Sequence, residues 1–375
     1  MAKYFLIAGE ASGDLHAASL IEQIRQRDPQ AQFAGLGGDR MAAAECRLYR
    51  DYSHMAFMAI AAVLRHWRDV RDNFRIAHEA LLHEQPDVLI LIDYPSFNLR
   101  MAAFCRKHLP DTRIVYYIPP KVWAWKRRRI HRIARLCDEV LGIFPFEPAF
   151  YAKYGYRCTY VGNPTAEGIE RFAQREKTDS LKDKRLLRSK TIVLLPGSRP
   201  SEISNCLPRM LDAARQFPAY HLTVCAAPGI EDAFYTPYLQ AGETLTRDTY
   251  ATVQGASAAI VNSGTATLET ALLGCPQVAV YHLALSWFFA LIRWAQPWVF
   301  SIKHFTLVNI IAGKEVIKEL VANDFKTEPV AAELQRLLND EAYKKEMLAN
   351  YKHLFDSLGT QPASATAADI ITSKR

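Results

Sequence analysis

Two segments of this chain combine glycine and small hydroxyl side chains at the end of an apolar run, in residues 191–199 (TIVLLPGSR) and 262–269 (NSGTATLE). A turn of this composition at the start of a helix presents unpaired backbone N–H groups and the positive end of the helix dipole. Two such turns suit a ligand that carries a diphosphate and a ribose, although either turn alone also suits an ordinary strand-to-helix connection. The candidate nucleotide-sugar residues are Gly197, Ser198, Arg199, Ser263, Gly264, Thr265 and Glu269.

Other phosphate and metal chemistries have little support in the sequence. The chain contains no G-x-x-x-x-G-K-[ST] segment and no apolar run followed by G-x-G-x-x-G. It also lacks D-x-D and H-x-x-x-H spacings. We therefore predict no metal and no cofactor. If a diphosphate leaves during a reaction, we expect helix N-termini and arginine to stabilise its charge.

Two carboxylates in the first half follow apolar runs that are typical of buried strands. Asp93 follows VLILI, and Glu10 follows YFLIAG. Asp93 ends a fully apolar strand, where desolvation raises its pKa and suits a general base for a hydroxyl. Glu10 lies at the carboxyl end of its strand. Each segment also has a structural interpretation, in which Asp93 caps the following turn and Ser12 or Asp14 caps a helix. Asn98 is a candidate for orienting a polar substrate.

Aromatic and basic residues are mixed in residues 116–129 (YYIPPKVWAWKRRR). This mixture suits a membrane interface or a single-stranded nucleic acid, and it also suits a solvated helix with buried tryptophans. Two further apolar segments, 55–67 and 283–300, favour the membrane, although the second also suits core packing. Both are too short or too interrupted to span a bilayer. The predicted membrane or acyl-chain contacts are Met55, Phe57, Met58, Ile60, Trp123 and Trp125.

Strand-like and helical patterns alternate along the chain, as in proteins whose parallel sheets are covered on both faces. The expected strands are residues 4–8, 88–92, 113–118, 139–143, 191–195, 221–226, 258–261 and 277–281. The predicted fold class is α/β, with two doubly wound Rossmann-like domains facing a cleft. In such sheets ligands bind beyond the carboxyl ends of the strands, where Glu10, Asp93, Arg199 and Ser263 all fall.

The composition is that of an ordinary globular protein, with 375 residues, a net charge of +7 and 23% charged residues. Its seven cysteines are scattered without a C-x-x-C pair and, with no signal peptide, indicate a reducing cytosol. Residues 171–190 are rich in charge and poor in apolar runs, which predicts a linker. The expected division is a first domain 1–170, the linker, a second domain 191–345 and a helical tail 346–375.

Several of these segments together resemble one family, the lipid A disaccharide synthases, which are inverting glycosyltransferases of the GT-B fold. The matching segments run in order over most of the chain: 9–14 (GEASGD), 92–99 (IDYPSFNL), 116–126 (YYIPPKVWAWK), 145–151 (PFEPAFY), 161–164 (VGNP), 195–199 (LPGSR), 263–268 (SGTATL) and 305–320, which contains Asn309 and Glu319. Each segment alone is weakly specific, whereas the whole ordered set is highly specific.

The resemblance implies that the chain transfers a sugar from UDP-2,3-diacylglucosamine to the 6-hydroxyl of 2,3-diacylglucosamine 1-phosphate, giving a β(1→6) disaccharide and UDP. Asp93 is then the expected general base, with Glu10 as the second choice. Arg199 and the N–H groups after Ser263 would hold the diphosphate, and Glu269 would accept from the ribose hydroxyls. The expected acceptor and cleft residues are Ser12, Asn98, Asn309 and Glu319.

The resemblance also implies that the protein acts at a membrane surface. Both substrates carry acyl chains, so we expect a cytoplasmic protein that is peripheral on the anionic inner face of the cytoplasmic membrane. No nucleic-acid partner is expected, and a homo-oligomer is left open. Two alternatives stay open at this point: a UDP-N-acetylhexosamine 2-epimerase on the same fold, and a non-enzymatic membrane-peripheral nucleotide-sugar binder.

Overall fold

The computed structural model describes residues 1–54, 67–124, 126–176, 189–282 and 304–373. The chain divides into two compact units, Met1–Pro164 with Gln361–Arg375 and Thr165–Thr360. Each unit contains one parallel β-sheet with helices between its strands. The predicted α/β class with two doubly wound domains is therefore confirmed.

The first unit is built on a seven-stranded parallel sheet with the order β3-β2-β1-β4-β5-β6-β7. Its strands are β1 (Lys3–Ala8), β2 (Gln32–Gly37), β3 (Arg47–Asp51), β4 (Val88–Ile92), β5 (Arg113–Tyr117), β6 (Glu139–Gly142) and β7 (Thr159–Tyr160). The chain builds from β1 outward to β3 and then returns to β4 on the other side of β1. Neighbouring strands β1 and β4 therefore flank the point where the strand order reverses, which is where doubly wound sheets bind ligands.

The two central strands are apolar along nearly their whole length because both faces of the sheet are covered. Alternate residues of β1 enter separate cores, with Phe5 and Ile7 on one face and Tyr4 and Leu6 on the other. All five residues of β4 are buried. Only the strand ends are left for polar chemistry, and Asp93 is the first residue after β4.

The helices of the first unit that precede the domain boundary cover both faces of this sheet. In the described residues they are α1 (Ala11–Arg27), α2 (Asp39–Ala43), α3 (Trp67–Glu84), α4 (Pro95–His108), α5 (Arg129–Leu136) and α6 (Glu147–Ala152). α1 buries one apolar side, including Leu20, Ile21 and Ile24, and carries Arg25 and Arg27 in its last turn, where cations complement the helix dipole. A short 3₁₀ turn spans Tyr52–His54.

The second unit contains a six-stranded parallel sheet with the order β10-β9-β8-β11-β12-β13. Its strands are β8 (Ser189–Leu195), β9 (His221–Cys225), β10 (Thr244–Thr246), β11 (Ala256–Asn262), β12 (Gln277–Tyr281) and β13 (Lys318–Val321). The strand order reverses between β8 and β11, which are hydrogen-bonded neighbours. The carboxyl ends of these two strands carry the two glycine-containing turns that the sequence assigned to a nucleotide.

After the strands of the first unit, the helices in the described residues are α7 (Pro164–Arg175), α8 (Pro200–Ala214), α9 (Thr249–Gly255), α10 (Thr265–Leu272), α11 (Leu307–Ala312), α12 (Thr327–Asn339) and α13 (Glu341–Leu358). Of these, α7 begins at the boundary between the units. The second unit also has short 3₁₀ turns at Asp232–Phe234, Thr236–Tyr238 and Ala322–Asp324.

The last helix, α14 (Ala363–Ser373), returns to the first unit and packs against α1. The Arg27 guanidinium lies 2.5 Å from the Asp369 carboxylate, and Arg113 donates to the carbonyl oxygen of Ile371 at 2.8 Å. The domain boundaries therefore differ from the predicted ones in two places. The first boundary follows Pro164, before the charged segment 171–190. The predicted tail 346–375 splits, because α13 stays with the second unit.

Candidate active site

Glu10 and Asp93 follow the adjacent strands β1 and β4, whose register pairs Ala8 with Ile92. Glu10 is the residue before α1, and its side chain is half-buried. The Tyr94 ring lies directly on Gly9, so closely that a Cβ at Gly9 would overlap it. This close approach, which only glycine permits, brings the turn after β1 against the turn after β4. The predicted pair of carboxylates therefore lies at one edge of the first sheet.

The turn that presents Asp93 has an unusual backbone. Asp93 and Tyr94 have φ angles of 44° and 43°, in the left-handed region that non-glycine residues rarely adopt. Neighbouring side chains hold this conformation, since the Asp93 carbonyl oxygen accepts from the Tyr116 hydroxyl at 2.7 Å and from the Asn98 amide at 2.8 Å. The Asp93 N–H donates to the Ile118 carbonyl oxygen at 3.2 Å. A strained and well-braced turn of this kind is typical of a functional position.

Two opposing effects act on the pKa of the Asp93 carboxylate. Surrounding protein desolvates it, which raises its pKa, although the side chain remains exposed to solvent. The Lys121 ammonium group and the Tyr94 backbone N–H stabilise the charged form and oppose that rise. An accessible carboxylate with a raised pKa is suited to take a proton from a hydroxyl near neutral pH.

Asn98 has a different role from the predicted one. It is fully buried at the start of α4, where its amide nitrogen donates to the Ile92 and Asp93 carbonyl oxygens at 3.1 and 2.8 Å. The expectation that Asn98 contacts a substrate is therefore wrong, because the side chain points into the protein and positions the Asp93 turn.

The GEASGD segment separates into an exposed and a buried part. Ser12 is exposed in the first turn of α1, so it remains a candidate for a substrate contact. Asp14 is buried, and its carboxylate accepts from the backbone N–H groups of Gly38, Arg40 and Met41 at 2.7 to 3.1 Å. Asp14 thus holds the turn before α2 and does not cap α1.

Trp123 lies in the core of the first unit and not on its surface. Its side chain is buried, its ring packs edge-on against Phe144 and Phe146, and its indole N–H donates to Glu147 at 3.1 Å. The expectation that Trp123 contacts the membrane or an acyl chain is therefore wrong for this residue. The other predicted contacts, Met55, Phe57, Met58, Ile60 and Trp125, lie outside the described residues. No helix in the described part of the chain is long and apolar enough to cross a membrane.

In the second unit, the turn between β8 and α8 is organised by Glu202. Its carboxylate accepts from the Ser198 backbone N–H at 3.0 Å and from the Arg199 guanidinium at 2.9 Å. Gly197 has a φ of 123°, and a Cβ there would lie 2.7 Å from both the Asn262 amide and the Glu202 carboxylate. Only glycine therefore fits this turn, which leaves the Arg199 side chain half-exposed at the N-terminus of α8.

The second turn lies beside the first, because Val261 of β11 pairs with Leu195 of β8. Gly264 is the residue before α10 and has no side chain with which to cap this helix end. Gly264 and Thr265 are exposed there, and Ser263 is half-buried. Backbone N–H groups at the start of α10 and the Arg199 guanidinium thus lie on neighbouring turns, an arrangement that suits a diphosphate. The structure brings the predicted nucleotide residues of both turns together.

Glu269 lies within α10 and has a protein partner. Its carboxylate accepts from the Tyr250 hydroxyl at 3.0 Å, and burial raises its pKa. The Tyr250 ring in turn packs edge-on against Phe172. Glu269 is thus a fixed acceptor close to the two turns, and a contact with ribose stays a prediction.

The buried Asn309 and the half-buried Glu319 link α11 to β13 by hydrogen bonds. Glu319 accepts from the Asn309 amide at 2.9 Å and from the Thr306 backbone N–H at 2.8 Å. The Asn309 carbonyl oxygen accepts from the backbone N–H groups of Val316 and Ile317 at 2.7 and 3.0 Å. Asn309 is completely buried. The predicted direct substrate contact is wrong for Asn309, because both ends of its amide hold the backbone.

Two doubly wound parallel sheets, each with candidate site residues at its reversal point, define a protein of the GT-B fold class. Solved structures with this fold include a UDP-GlcNAc 2-epimerase from Methanocaldococcus jannaschii, with a TM-score of 0.64 and 9% identity over 99% of each chain. They also include a calicheamicin glycosyltransferase, with a TM-score of 0.57 and 14% identity over 100% of this chain and 98% of that one. At such low identity the likeness shows the fold alone.

The chain belongs to the lipid-A-disaccharide synthetase family, whose model matches residues 4–371. It is 36% identical to a lipid-A-disaccharide synthase from Trichlorobacter lovleyi over 99% of this chain and 97% of the relative. It is 35% identical to the enzyme of that name from Geobacter sulfurreducens, over 98% and 96%. The predicted family and the glycosyltransferase class are therefore confirmed, and the epimerase and non-enzymatic alternatives are set aside.

Proposed function

We propose that the chain transfers the sugar of UDP-2,3-diacylglucosamine to the 6-hydroxyl of 2,3-diacylglucosamine 1-phosphate, with inversion and without a metal. The products are a β(1→6) disaccharide 1-phosphate and UDP. The observation that carries the proposal is the accessible Asp93 carboxylate at the reversal point of the first sheet. Family membership supports the reaction class.

In this reaction Asp93 is the general base, with Glu10 as the second candidate. The carboxylate takes the proton of the acceptor hydroxyl while that oxygen attacks the anomeric carbon of the donor. The bond from this carbon to the diphosphate oxygen breaks, and UDP leaves with the electron pair. The raised pKa of Asp93 suits this role, because a base is most effective when its pKa approaches the working pH.

The second unit would hold the donor. Arg199 and the backbone N–H groups at the start of α10 would bind the diphosphate and stabilise its growing charge, without a metal. Glu269 would accept from the ribose hydroxyls, in addition to its bond from Tyr250. The exposed Ser12 would face the acceptor in the first unit.

The acyl chains of both substrates would require the protein to work as a peripheral protein on the anionic inner surface of the cytoplasmic membrane. Lys126, Arg127 and Arg128 are exposed in the first unit and would meet such a surface. The apolar segment 55–67 is the proposed apolar contact.

Acceptor-dependent release of UDP tests the proposal. Purified protein is mixed with UDP-2,3-diacylglucosamine in excess EDTA, with and without 2,3-diacylglucosamine 1-phosphate. We expect UDP and disaccharide only when both substrates are present. Donor turnover without acceptor, a 2-epimer of the donor sugar, or activity that disappears in EDTA and returns with Mg²⁺ would each contradict the proposal.

A further inference from the structure

A tyrosine hydroxyl that the proposed reaction does not use lies against Glu269, the proposed ribose contact. Glu269 is four residues after Thr265 in α10, so the two side chains lie on the same face of the helix. Thr265 is exposed at the start of that helix, and Glu269 is half-buried. The Oε1 atom of Glu269 accepts from the Tyr250 hydroxyl at 3.0 Å. The carboxylate is therefore held on the face of α10 that carries the exposed end of the turn.

Tyr250 lies at the same edge of the second sheet as this turn. It is in the first turn of α9, which connects β10 to the parallel strand β11. The chain leaves β10 at its carboxyl end, so α9 begins at the edge of the sheet where ligands bind. The Asp248 carboxylate caps this helix by accepting from the Ala251 backbone N–H at 3.4 Å. The starts of α9 and α10 thus lie at one edge, and the phenol joins them.

The Tyr250 ring is also held by α7. Its centroid lies 5.5 Å from that of Phe172, with the two rings edge-on at 80°. Gly168 is four residues before Phe172 on the same face of α7, and a Cβ at Gly168 would lie 3.9 Å from the Tyr250 oxygen. The ring is therefore packed against one helix and hydrogen-bonded to another, which leaves it little freedom to turn.

The pair has a definite donor and a definite acceptor. Burial, and after it the charge and hydrogen bond of Glu269, raises the pKa of the Tyr250 phenol, so the phenol keeps its proton and donates. Burial also raises the pKa of Glu269, and the hydrogen bond from Tyr250 opposes that rise. The phenol thus favours the ionised carboxylate, which only accepts hydrogen bonds. The 2′ and 3′ hydroxyl groups of a ribose are two adjacent donors for such an acceptor.

We propose that Tyr250 is a positioning residue that makes the nucleotide site selective for ribose, by holding Glu269 so that its carboxylate accepts from the 2′ and 3′ hydroxyl groups. A carboxylate that is already held loses less side-chain freedom when the nucleotide binds. A nucleotide without these hydroxyl groups leaves the held acceptor unpaired, and the site should discriminate against it. The proposal rests on the proposed ribose contact of Glu269.

Tyr250→Phe tests the proposal, because it removes only the hydroxyl and keeps the ring against Phe172. The affinities of UDP and of 2′,3′-dideoxy-UDP, measured by calorimetry, give the ribose selectivity of each protein as a ratio. We expect the UDP affinity of the variant to fall about 3- to 10-fold, the effect of losing one hydrogen bond, and the dideoxy-UDP affinity to change less than about twofold. The ribose selectivity should therefore fall.

Two further variants calibrate this result. Glu269→Ala removes the whole carboxylate and should lower UDP affinity by about 10- to 100-fold, the scale of hydrogen bonds to a charged group, with little effect on dideoxy-UDP. Tyr343→Phe is the matched control, because the Tyr343 hydroxyl donates to the Glu333 carboxylate at 2.6 Å in the same unit. It removes an equivalent tyrosine–glutamate bond and should leave the ribose selectivity unchanged.

If Tyr250→Phe does not fold, Phe172→Leu carries the test. This substitution removes the edge-on ring contact and keeps the Tyr250 hydroxyl, so the ribose selectivity should fall in the same direction. An unchanged ribose selectivity in folded Phe172→Leu protein would then contradict the proposal.

A double-mutant cycle decides whether Tyr250 acts through Glu269. The loss of ribose selectivity caused by Tyr250→Phe should largely disappear in the Glu269→Ala background. Equal losses of affinity for UDP and dideoxy-UDP would show that the hydroxyl only supports the fold. That result, or a Tyr250→Phe protein with the ribose selectivity of the wild type, would overturn the proposal.

The proposed function fails in a different way. If Glu269→Ala keeps the ribose selectivity of the wild type, the proposed ribose contact is wrong and the role of Tyr250 is wrong with it. If Glu269→Ala removes the selectivity and Tyr250→Phe does not, only the role of Tyr250 is wrong. Wild-type protein that binds UDP with the expected selectivity but does not release UDP from the donor in response to acceptor would overturn the proposed reaction alone.

Discussion

Glu10 follows β1 and Asp93 follows the neighbouring strand β4, but the surroundings of the two carboxylates differ. The Asp93 side chain is exposed on a strained turn, and Lys121 and the Tyr94 N–H act on its charge. Glu10 is half-buried beside Tyr94, and the pKa of that phenol is raised by burial first and by the negative charge of Glu10 second. The position of Asp93 therefore favours it as the base.

Arg199 is the residue whose loss should weaken nucleotide binding. Arg199→Ala should weaken UDP binding by about 1.5–3 kcal/mol, the scale of a charge-assisted hydrogen bond, measured by calorimetry. Arg336→Ala is the matched control, because it also removes a half-exposed arginine that pairs with a glutamate three residues away. Equal UDP affinities for the Arg199→Ala and wild-type proteins would show that the diphosphate binds elsewhere.

Glu147 should also make stability depend on pH. Its pKa is about 7 in the folded protein against an ordinary value of 4.5, so the folded state binds this proton more tightly than the unfolded state. Its contribution to stability is therefore present below pH 4.5 and is lost as the pH rises through about 7. The full difference is on the order of 3 kcal/mol.

Denaturant titrations of the wild-type and Glu147→Gln proteins at pH 5 and pH 8 isolate this contribution, because other raised carboxyl groups, such as Asp93 and Glu269, are common to both. The unfolding free energy of the wild type should fall relative to the variant between the two pH values. The same difference at both values would show that Glu147 ionises in the folded protein as it does in water.

At the scale of elements, the paired turns after β8 and β11 depend on the left-handed backbone of Gly197. Gly197→Ala should lower the free energy of unfolding by about 1–3 kcal/mol, because the new Cβ would collide with Asn262 and Glu202. Gly264→Ala is the control for stability, since a Cβ there meets open space. Thermal unfolding compares the two, and equal transition temperatures would contradict the packing described for this turn.

The central strands could be predicted from the sequence because burial on both faces requires continuous apolar runs. β4 and β12 have the predicted bounds, and β1 differs by one residue. β2 (QFAGLG) and β3 (RLYRD) were not predicted. Two glycines interrupt the apolar pattern of β2, and β3 is a partly exposed edge strand. Edge strands need less apolar surface, so their pattern is weak.

The candidate site could be predicted only in part, for a related reason. Glu10 and Asp93 could be predicted because each is a carboxylate soon after an apolar strand, and Arg199 because it follows a glycine-containing turn after such a strand. The carboxyl ends of parallel strands lie at one edge of a sheet, where ligands bind. Tyr250 was missed, since its hydrogen bond to Glu269 joins two different helices. Asn98 was predicted to contact substrate because its position after β4 could be predicted from the sequence, whereas the direction of its side chain could not.

At the scale of the whole molecule, the proposed membrane attachment combines exposed cations with the apolar segment 55–67. Each basic residue near an anionic leaflet contributes about 1 kcal/mol, and salt screens this attraction. Buried apolar side chains add a part that salt does not remove. The protein should therefore sediment with anionic vesicles at low salt and be released only partly at high salt.

Replacing Met55, Phe57, Met58 and Ile60 by serine should remove the salt-resistant part of vesicle binding and raise KM for the acylated acceptor. UDP affinity should stay the same, which serves as the internal control. Wild-type protein that remains in the supernatant with anionic vesicles at low salt would contradict the attachment.

The central claim is that Asp93 takes the proton of the acceptor hydroxyl, and kcat for Asp93→Asn tests it most directly. Asparagine keeps the shape of the side chain but cannot accept the proton. With both substrates saturating, we expect kcat to fall by about 10²–10⁴, the usual contribution of a general base, with UDP affinity nearly unchanged. Glu10→Gln, measured in parallel, should retain more activity. An Asp93→Asn protein with a tenth or more of the wild-type kcat would contradict the claim and make Glu10 the candidate base.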